Sequence, residues 1–295
     1  MDSLSINRAI CKKCHLCVEV CPNKIYTTDS AGEVLIRADR IGLCFKCGQC
    51  MAICSTRSVV VDGLSYDTDF FELPDCIPDQ DSFFNLISTR RAIRNFKEIP
   101  VPKELLQKVV DAITFAPPGF PPLKTELIVV PDREIIKSAL PEMVQLYEKL
   151  VAMMGKPFFR YFIRKEVGAQ KFWTMETHLV PMLKSRLPGL KAGTEDTLTR
   201  NAPAMILFLA PKEGDDIRQD ISIAATYGML AAHSLGLGGS IMDIIPPAIN
   251  KTPELRKKFC IPDTHEVVTS LIIGYPKYKY KLGIKRNLKS VKWLS

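Results

Sequence analysis

The chain has 295 residues, 46% apolar and 24% charged, with 40 Lys and Arg against 32 Asp and Glu. That length suits one large domain or two ordinary ones, and the composition is that of a globular protein. No apolar run approaches the ~20 residues of a membrane-spanning helix, and Met1–Ser5 has neither the basic nor the apolar region of a secretory signal. A cytoplasmic protein without a membrane partner is expected. The net charge of +8 gathers toward the end, where Lys277, Lys279, Lys281, Lys285, Arg286, Lys289 and Lys292 meet no acid. Few aromatics accompany them to stack bases, so they read as a solvated face or an anion site, and nucleic acid is not an expected partner.

Eight of the ten cysteines fall in two blocks of equal spacing. Cys11, Cys14, Cys17 and Cys21 form the first, and Cys44, Cys47, Cys50 and Cys54 the second. In a reducing compartment such a pattern reads as metal ligation. Three thiolates two residues apart wrap one corner of a cubane, whereas a zinc site usually takes only pairs at that spacing. The fourth cysteine, about a helical turn further on, points away. Lys24–Thr28 and Val34–Ile36 read as short strands around the turn Ser30-Ala31-Gly32, and Ser58–Gly63 as a closing strand with a glycine stop. Residues 1–65 resemble bacterial two-cluster ferredoxins along their whole length. The resemblance implies two [4Fe–4S] clusters with crossed ligation, one on Cys11, Cys14, Cys17 and Cys54, the other on Cys44, Cys47, Cys50 and Cys21. Ser55 stands where that family usually has proline, which is not a ligand. The remaining Cys76 and Cys260 lie outside any ligand spacing and read as small buried apolar residues.

Residues 66–82 are acidic and proline-bearing, the signature of a linker. From Phe83 helices and strands alternate. Phe83, Phe84, Leu86 and Ile87 form an apolar helix face. Pro102 opens a helix whose buried side carries Leu105, Leu106, Val109, Val110 and Ile113. Leu127–Val130, Ala204–Leu209 and Val267–Ile273 read as strands, and alanine-rich Ile221–Leu235 as a buried helix. The expected fold class is α+β: the ferredoxin-like module, then a domain over 83–295 with a mostly antiparallel central sheet flanked by helices.

Arg90, Arg91 and Arg94 lie within five residues. They would repel one another unless solvated in a basic turn or gathered around a phosphate, which suits the planar guanidinium fork. The region from Phe83 onward resembles the FMN-dependent nitroreductase family. The resemblance rests on Arg90-Arg91-Ala92-Ile93-Arg94-x-Phe96, Val101-Pro102, Ala116-Pro117, Asn201-Ala202-Pro203, Leu235–Gly239 and Gly274-Tyr275-Pro276, taken in that order. It implies an FMN phosphate held by Arg90, Arg91, Arg94 and Arg286, with Lys285 a second basic candidate and Ala92 replacing a frequent serine. It also implies close approach of the flavin ring to the main chain at Gly238, Gly239, Ser240 and Ile241. Pro118 and Gly119 stand where that family has side chains touching the ring. The Pro118–Leu123 stretch cannot supply those side-chain hydrogen bonds.

Residues 133–200 exceed an ordinary connection. Their aromatics, Phe158 to Phe162 with Phe172 and Trp173, read either as a lid over the flavin or as homodimer packing. His178 is a weak catalytic candidate, and no catalytic residue is assigned. Clusters pass single electrons and FMN passes one or two, so the fusion implies an iron–sulfur flavoprotein oxidoreductase. Electrons would enter from a ferredoxin or flavodoxin and leave to a nitro compound, quinone or activated alkene. No Rossmann fingerprint is present. An NAD(P)H-dependent nitroreductase and a non-catalytic relay between protein partners are the other readings.

Overall fold

A computed structural model describes residues 4–75, 79–119, 124–213 and 217–294. They divide into two units, Met1–Pro78 with Pro118–Lys124 and Asp79–Pro117 with Thr125–Ser295.

In the first unit, β1 (Leu4–Ile6) pairs antiparallel with β4 (Val59–Val61), and β2 (Tyr26–Thr28) with β3 (Val34–Ile36). The β2–β3 turn is tied by the Asp29 carboxylate, which accepts from the N–H groups of Ala31 and Glu33 at 2.9 and 2.8 Å. Each cysteine block holds a one-turn helix, α1 (Leu16–Val20) or α2 (Gln49–Ala52). The repeat in sequence is also a repeat of backbone shape. Lys13, His15 and Lys24 have positive φ in the first block, and Lys46, Gly48 and Arg57 have it at the equivalent places in the second. The core is thin: Cys17, Cys21, Ile25, Tyr26, Val34, Met51, Val59 and Val61 are its buried members. The stretch read as a linker divides. Tyr66 packs its ring on Phe70 (centroids 5.4 Å apart) and donates to the Val59 carbonyl at 3.0 Å, whereas residues 80–82 already belong to a helix of the second unit.

That helix, α3 (Gln80–Thr89), is capped by Asp79, whose carboxylate accepts from Ser82 N at 2.9 Å. It buries no residue, and Phe83, Phe84 and Ile87 face solvent. After α4 (Lys103–Thr114) comes β5 (Glu126–Val130). Residues 133–200 are mostly helical: α5 (Arg133–Lys137), α6 (Leu140–Met154), α7 (Pro157–Val167), α8 (Ala169–Thr174), a π-helical turn and α9 (Val180–Lys191). Then follow β6 (Ala204–Pro211), α10 (Ile217–Ser234), β7 (Gly238–Ile241), α11 (Ile245–Lys251), α12 (Pro253–Lys258) and β8 (His265–Gly274). The sheet runs β5-β6-β8-β7, every pair antiparallel. Strand β6 is buried on both faces, which explains its unbroken apolar run. Ala204, Ile206 and Phe208 point into a core with Val109 and Ile113 of α4 and Ala224 and Ala225 of α10. The alternate residues Met205, Leu207 and Leu209 enter a second core with residues of α6, α9 and α11.

Cys260, expected to be buried, is exposed. It follows α12 with φ +53°, and this left-handed step at a helix end leaves the side chain in solvent. Cys76 lies outside the described residues.

Candidate functional site

Two cavities in the first unit are walled by the cysteine blocks. One, of about 360 Å³ with its open mouth, is lined by Cys21, Cys44, Cys47 and Cys50, with Tyr26 and Phe45 beside them. The other, of about 370 Å³, is lined by Cys11, Cys14, Cys17 and Cys54, with His15 and Ser58. The last cysteine of each block therefore lines the cavity of the other block. Four cysteine thiols around each cavity are the donor set of a cubane iron–sulfur cluster.

The thiols differ from one another. Burial and the neighbouring Cys11 and Cys14 push Cys17 up to about 11. Burial also raises Cys50. Burial would raise Cys54 too, but the hydroxyls of Ser58 and Thr56 and nearby backbone N–H groups outweigh it and bring Cys54 down to about 7.

In the second unit the arginine motif lies against the end of the sheet. Ala92 bridges Gly239 in parallel, and Ile93 N donates to the Gly239 carbonyl at 3.0 Å. On the other side Lys97 N donates to Tyr275 O at 2.8 Å, and Lys277 N to Asn95 O at 3.0 Å. Glycine is required where these segments meet. A Cβ on Gly238 would stand 2.4 Å from Ile93, and one on Gly274 2.5 Å from Pro203 and 2.7 Å from Phe96. The scattered motif residues are thus one packing solution. The room in front of Gly238 is taken by Ile93, so the reason for that glycine is close approach of protein to protein.

This packing sets a cationic cluster. Burial, then the guanidinium groups of Arg286 and Arg91, lower the pKa of Arg90. Arg91 donates through Nη1 to the carbonyls of Ser88 (2.8 Å) and Arg90 (2.7 Å), and through Nη2 to that of Leu282 (3.4 Å). Its Nε is buried with no partner among the described residues. His233, at the end of α10, faces the same group. Burial, Arg90 and Arg91 all lower its pKa, and its Nε2 lies 2.9 Å from Thr89 Oγ1. Thr89 gives its own hydroxyl proton to Asn85 O (2.6 Å), so Nε2 is the donor of that pair. Clustered guanidinium groups without a salt bridge among the described residues, one with an orphaned donor, fit a phosphate dianion.

The structure gathers Arg90, Arg91 and Arg286, with Ala92 and Gly239 next to them. Arg94 instead neighbours Arg200, whose pKa is lowered by burial and then by Arg94. Lys285 is exposed, Ser240 is buried and donates to Ile241 O at 3.2 Å, and Pro118 and Gly119 fall in the first unit. Residues 120–123 lie outside the described residues. Among the insert aromatics Phe172 is buried, whereas Phe158, Tyr161 and Trp173 are exposed, and the His178 ring lies tilted against Trp173 with centroids 5.5 Å apart. Sequence reasoning gave no role to Thr89, the residue directly before Arg90, and missed Arg200 and His233, which lie far along the chain and join the arginines only through the fold.

An antiparallel sheet between helical layers, with an arginine cradle where the motif meets its edge, defines a flavin-dependent oxidoreductase joined to an iron–sulfur module. The chain belongs to the nitroreductase family, whose profile matches residues 87–275, and the 4Fe-4S dicluster domain profile matches residues 10–59. It is 27% identical over 195 residues to a "Putative NADH dehydrogenase/NAD(P)H nitroreductase" of Methanothermobacter thermautotrophicus, covering 64% of this chain and 75% of that one. Rat iodotyrosine deiodinase 1 is 25% identical over 202 residues, covering 66% of this chain and 62% of its own. The fold is shared with a Bacteroides fragilis nitroreductase solved with bound FMN (TM-score 0.54, 16% identity, 72% of this chain and 97% of that one). A Desulfitobacterium hafniense nitroreductase with bound FMN is similar (TM-score 0.52, 19% identity, 72% and 97%). Among the described residues no helix is long and apolar enough to cross a membrane.

Proposed function

We propose that the chain takes electrons singly from a ferredoxin or flavodoxin onto two [4Fe–4S] clusters and delivers them through FMN to a small organic acceptor. A nitro compound, a quinone or an activated alkene is the acceptor class. The observation that carries the reading is the pairing, in one chain, of two four-cysteine cavities with an arginine cradle that lacks a counter-charge. Cys11, Cys14, Cys17 and Cys54 hold one cluster, and Cys44, Cys47, Cys50 and Cys21 the other. Arg90, Arg91 and Arg286 hold the FMN phosphate, with Lys285 as a further cation. Arg94, which neighbours Arg200, is assigned with it to another polar edge of the bound molecule as part of the proposal. Bound FMN supplies the exchange between one-electron and two-electron chemistry.

A homodimer is part of the proposal. It is supported by α3, which presents Phe83, Phe84 and Ile87 to solvent as an apolar face.

The test is anaerobic. Protein reduced with dithionite is mixed with nitroaromatics, quinones and enones, and reoxidation by at least one class is expected. Reoxidation by none, with fast exchange with a ferredoxin, would leave only a relay. A second reading, direct reduction by NAD(P)H, is favoured by the name of the Methanothermobacter relative. Bleaching of the flavin by NAD(P)H faster than by reduced ferredoxin would establish it.

A further inference from the structure

The two cavities have the same cysteine spacing and differ in what touches the sulfurs. In the Cys11, Cys14, Cys17 and Cys54 cavity, Cys54 Sγ is met by Ser58 N at 3.3 Å, Ser58 Oγ at 3.2 Å and Thr56 Oγ1 at 3.6 Å. In the other cavity the sulfur contacts are fewer and are shared between two cysteines. Tyr26 OH lies 3.4 Å from Cys50 Sγ, and Ile25 N 3.4 Å from Cys21 Sγ. A metal-bound thiolate has no proton to give, so in each contact the nitrogen or hydroxyl is the donor. Ser58 is only 2% exposed, and water does not compete for its hydroxyl. Cys14, in the same cavity, is exposed.

Hydrogen bonds to cluster sulfurs stabilise the reduced, more negative state, and solvent exposure acts the same way. Both differences favour the same cluster. We propose that the cluster on Cys11, Cys14, Cys17 and Cys54 has the higher reduction potential, and that the buried Ser58 hydroxyl, with Thr56, sets the gap between the two. Each cluster takes up one electron from the protein donor without breaking or forming a ligand bond. The electron shared between them rests on the Ser58 side, so electron flow within the module has a built-in direction. Tyr26 is the counterpart on the other cluster, with a single hydroxyl contact. Ser58 is a tuning residue and holds no iron. The inference rests on the two-cluster reading.

The experiment is a redox titration of the full-length, iron-replete protein followed by EPR, with iron and acid-labile sulfide measured on every sample. The expected wild-type result is two resolved midpoints. Ser58→Ala lowers the upper one and leaves the lower unchanged, Thr56→Val lowers the upper one less, and Tyr26→Phe lowers only the lower one. A single midpoint for both clusters overturns the proposal. So does Ser58→Ala moving neither midpoint or both equally, or Ser58→Ala and Tyr26→Phe moving the same one. If Ser58→Ala loses iron, Thr56→Val on the half-buried hydroxyl carries the same test. Failure of the underlying reading is distinct: wild-type protein would then lack iron and sulfide near eight of each per chain, or show no cluster signal.

Discussion

The two units reach stability by different routes. The first has eight buried core members, two of them cluster-ligand candidates, and strands of three residues. So small an apolar core seldom sustains a fold unaided. The second has a sheet buried on both faces between two apolar cores. One unit depends on what binds it, while the other provides a rigid frame on which a binding site is displayed. On the proposed reading the cysteines of the first are structure and site at once, whereas the arginines of the second contribute little to the core.

The sharpest way to break this contrast is to remove the iron. Anaerobic chelation should abolish hydrogen-exchange protection across residues 4–64 and leave β6 and β8 protected, because metal binding and folding are one event in such modules. Loss of protection in both units together would show that the second is not self-supporting.

Next in size is a cavity in the second core. Phe208, fully buried, should cost about 3–5 kcal/mol when changed to alanine, read as a lowered denaturation midpoint with iron content unchanged.

Smaller effects belong to the cradle. Arg90→Ala should weaken FMN binding by about 1.5–3 kcal/mol, roughly tenfold to a hundredfold, with no change in melting of the flavin-free protein. The same loss with Arg94→Ala would join Arg94 to the phosphate group, although the structure places it by Arg200.

The smallest effect is a pH dependence. His233 is hard to protonate because of burial, Arg90 and Arg91. A bound phosphate would offset the arginines and raise the His233 pKa, so binding takes up a proton. FMN affinity should therefore rise a few-fold as pH falls below the ordinary histidine value of about 6.5. His233→Phe should keep only the dependence due to the phosphate's own ionisation.

Much of the fold was legible because its signals are local or periodic. The strands at Val34–Ile36, Leu127–Val130, Ala204–Leu209 and Val267–Ile273, and the helices after Pro102 and Ile221, announce themselves by apolar period. Strand β1 was not legible, being three residues long, nor was β7, half glycine, for want of strand-forming side chains. Helix α3 shows the opposite failure. Its apolar face was plain in the sequence, yet nothing there said that the face would be left uncovered.

The cysteine spacing by itself determined the iron–sulfur chemistry, because ligands two residues apart must face a common centre whatever surrounds them. Likewise, the run Arg90 to Phe96 was enough to suggest an anion site. Only the tertiary structure decided which cations share that site, since Arg286 and His233 reach Arg90 across the fold and Arg94 turns to Arg200. It also decided that the hydroxyls of Ser58 and Thr56 meet Cys54 and that of Tyr26 meets Cys50. Spacing in a chain sets which groups can meet, but the few ångströms that fix a pKa or a potential come from packing between segments far apart in sequence.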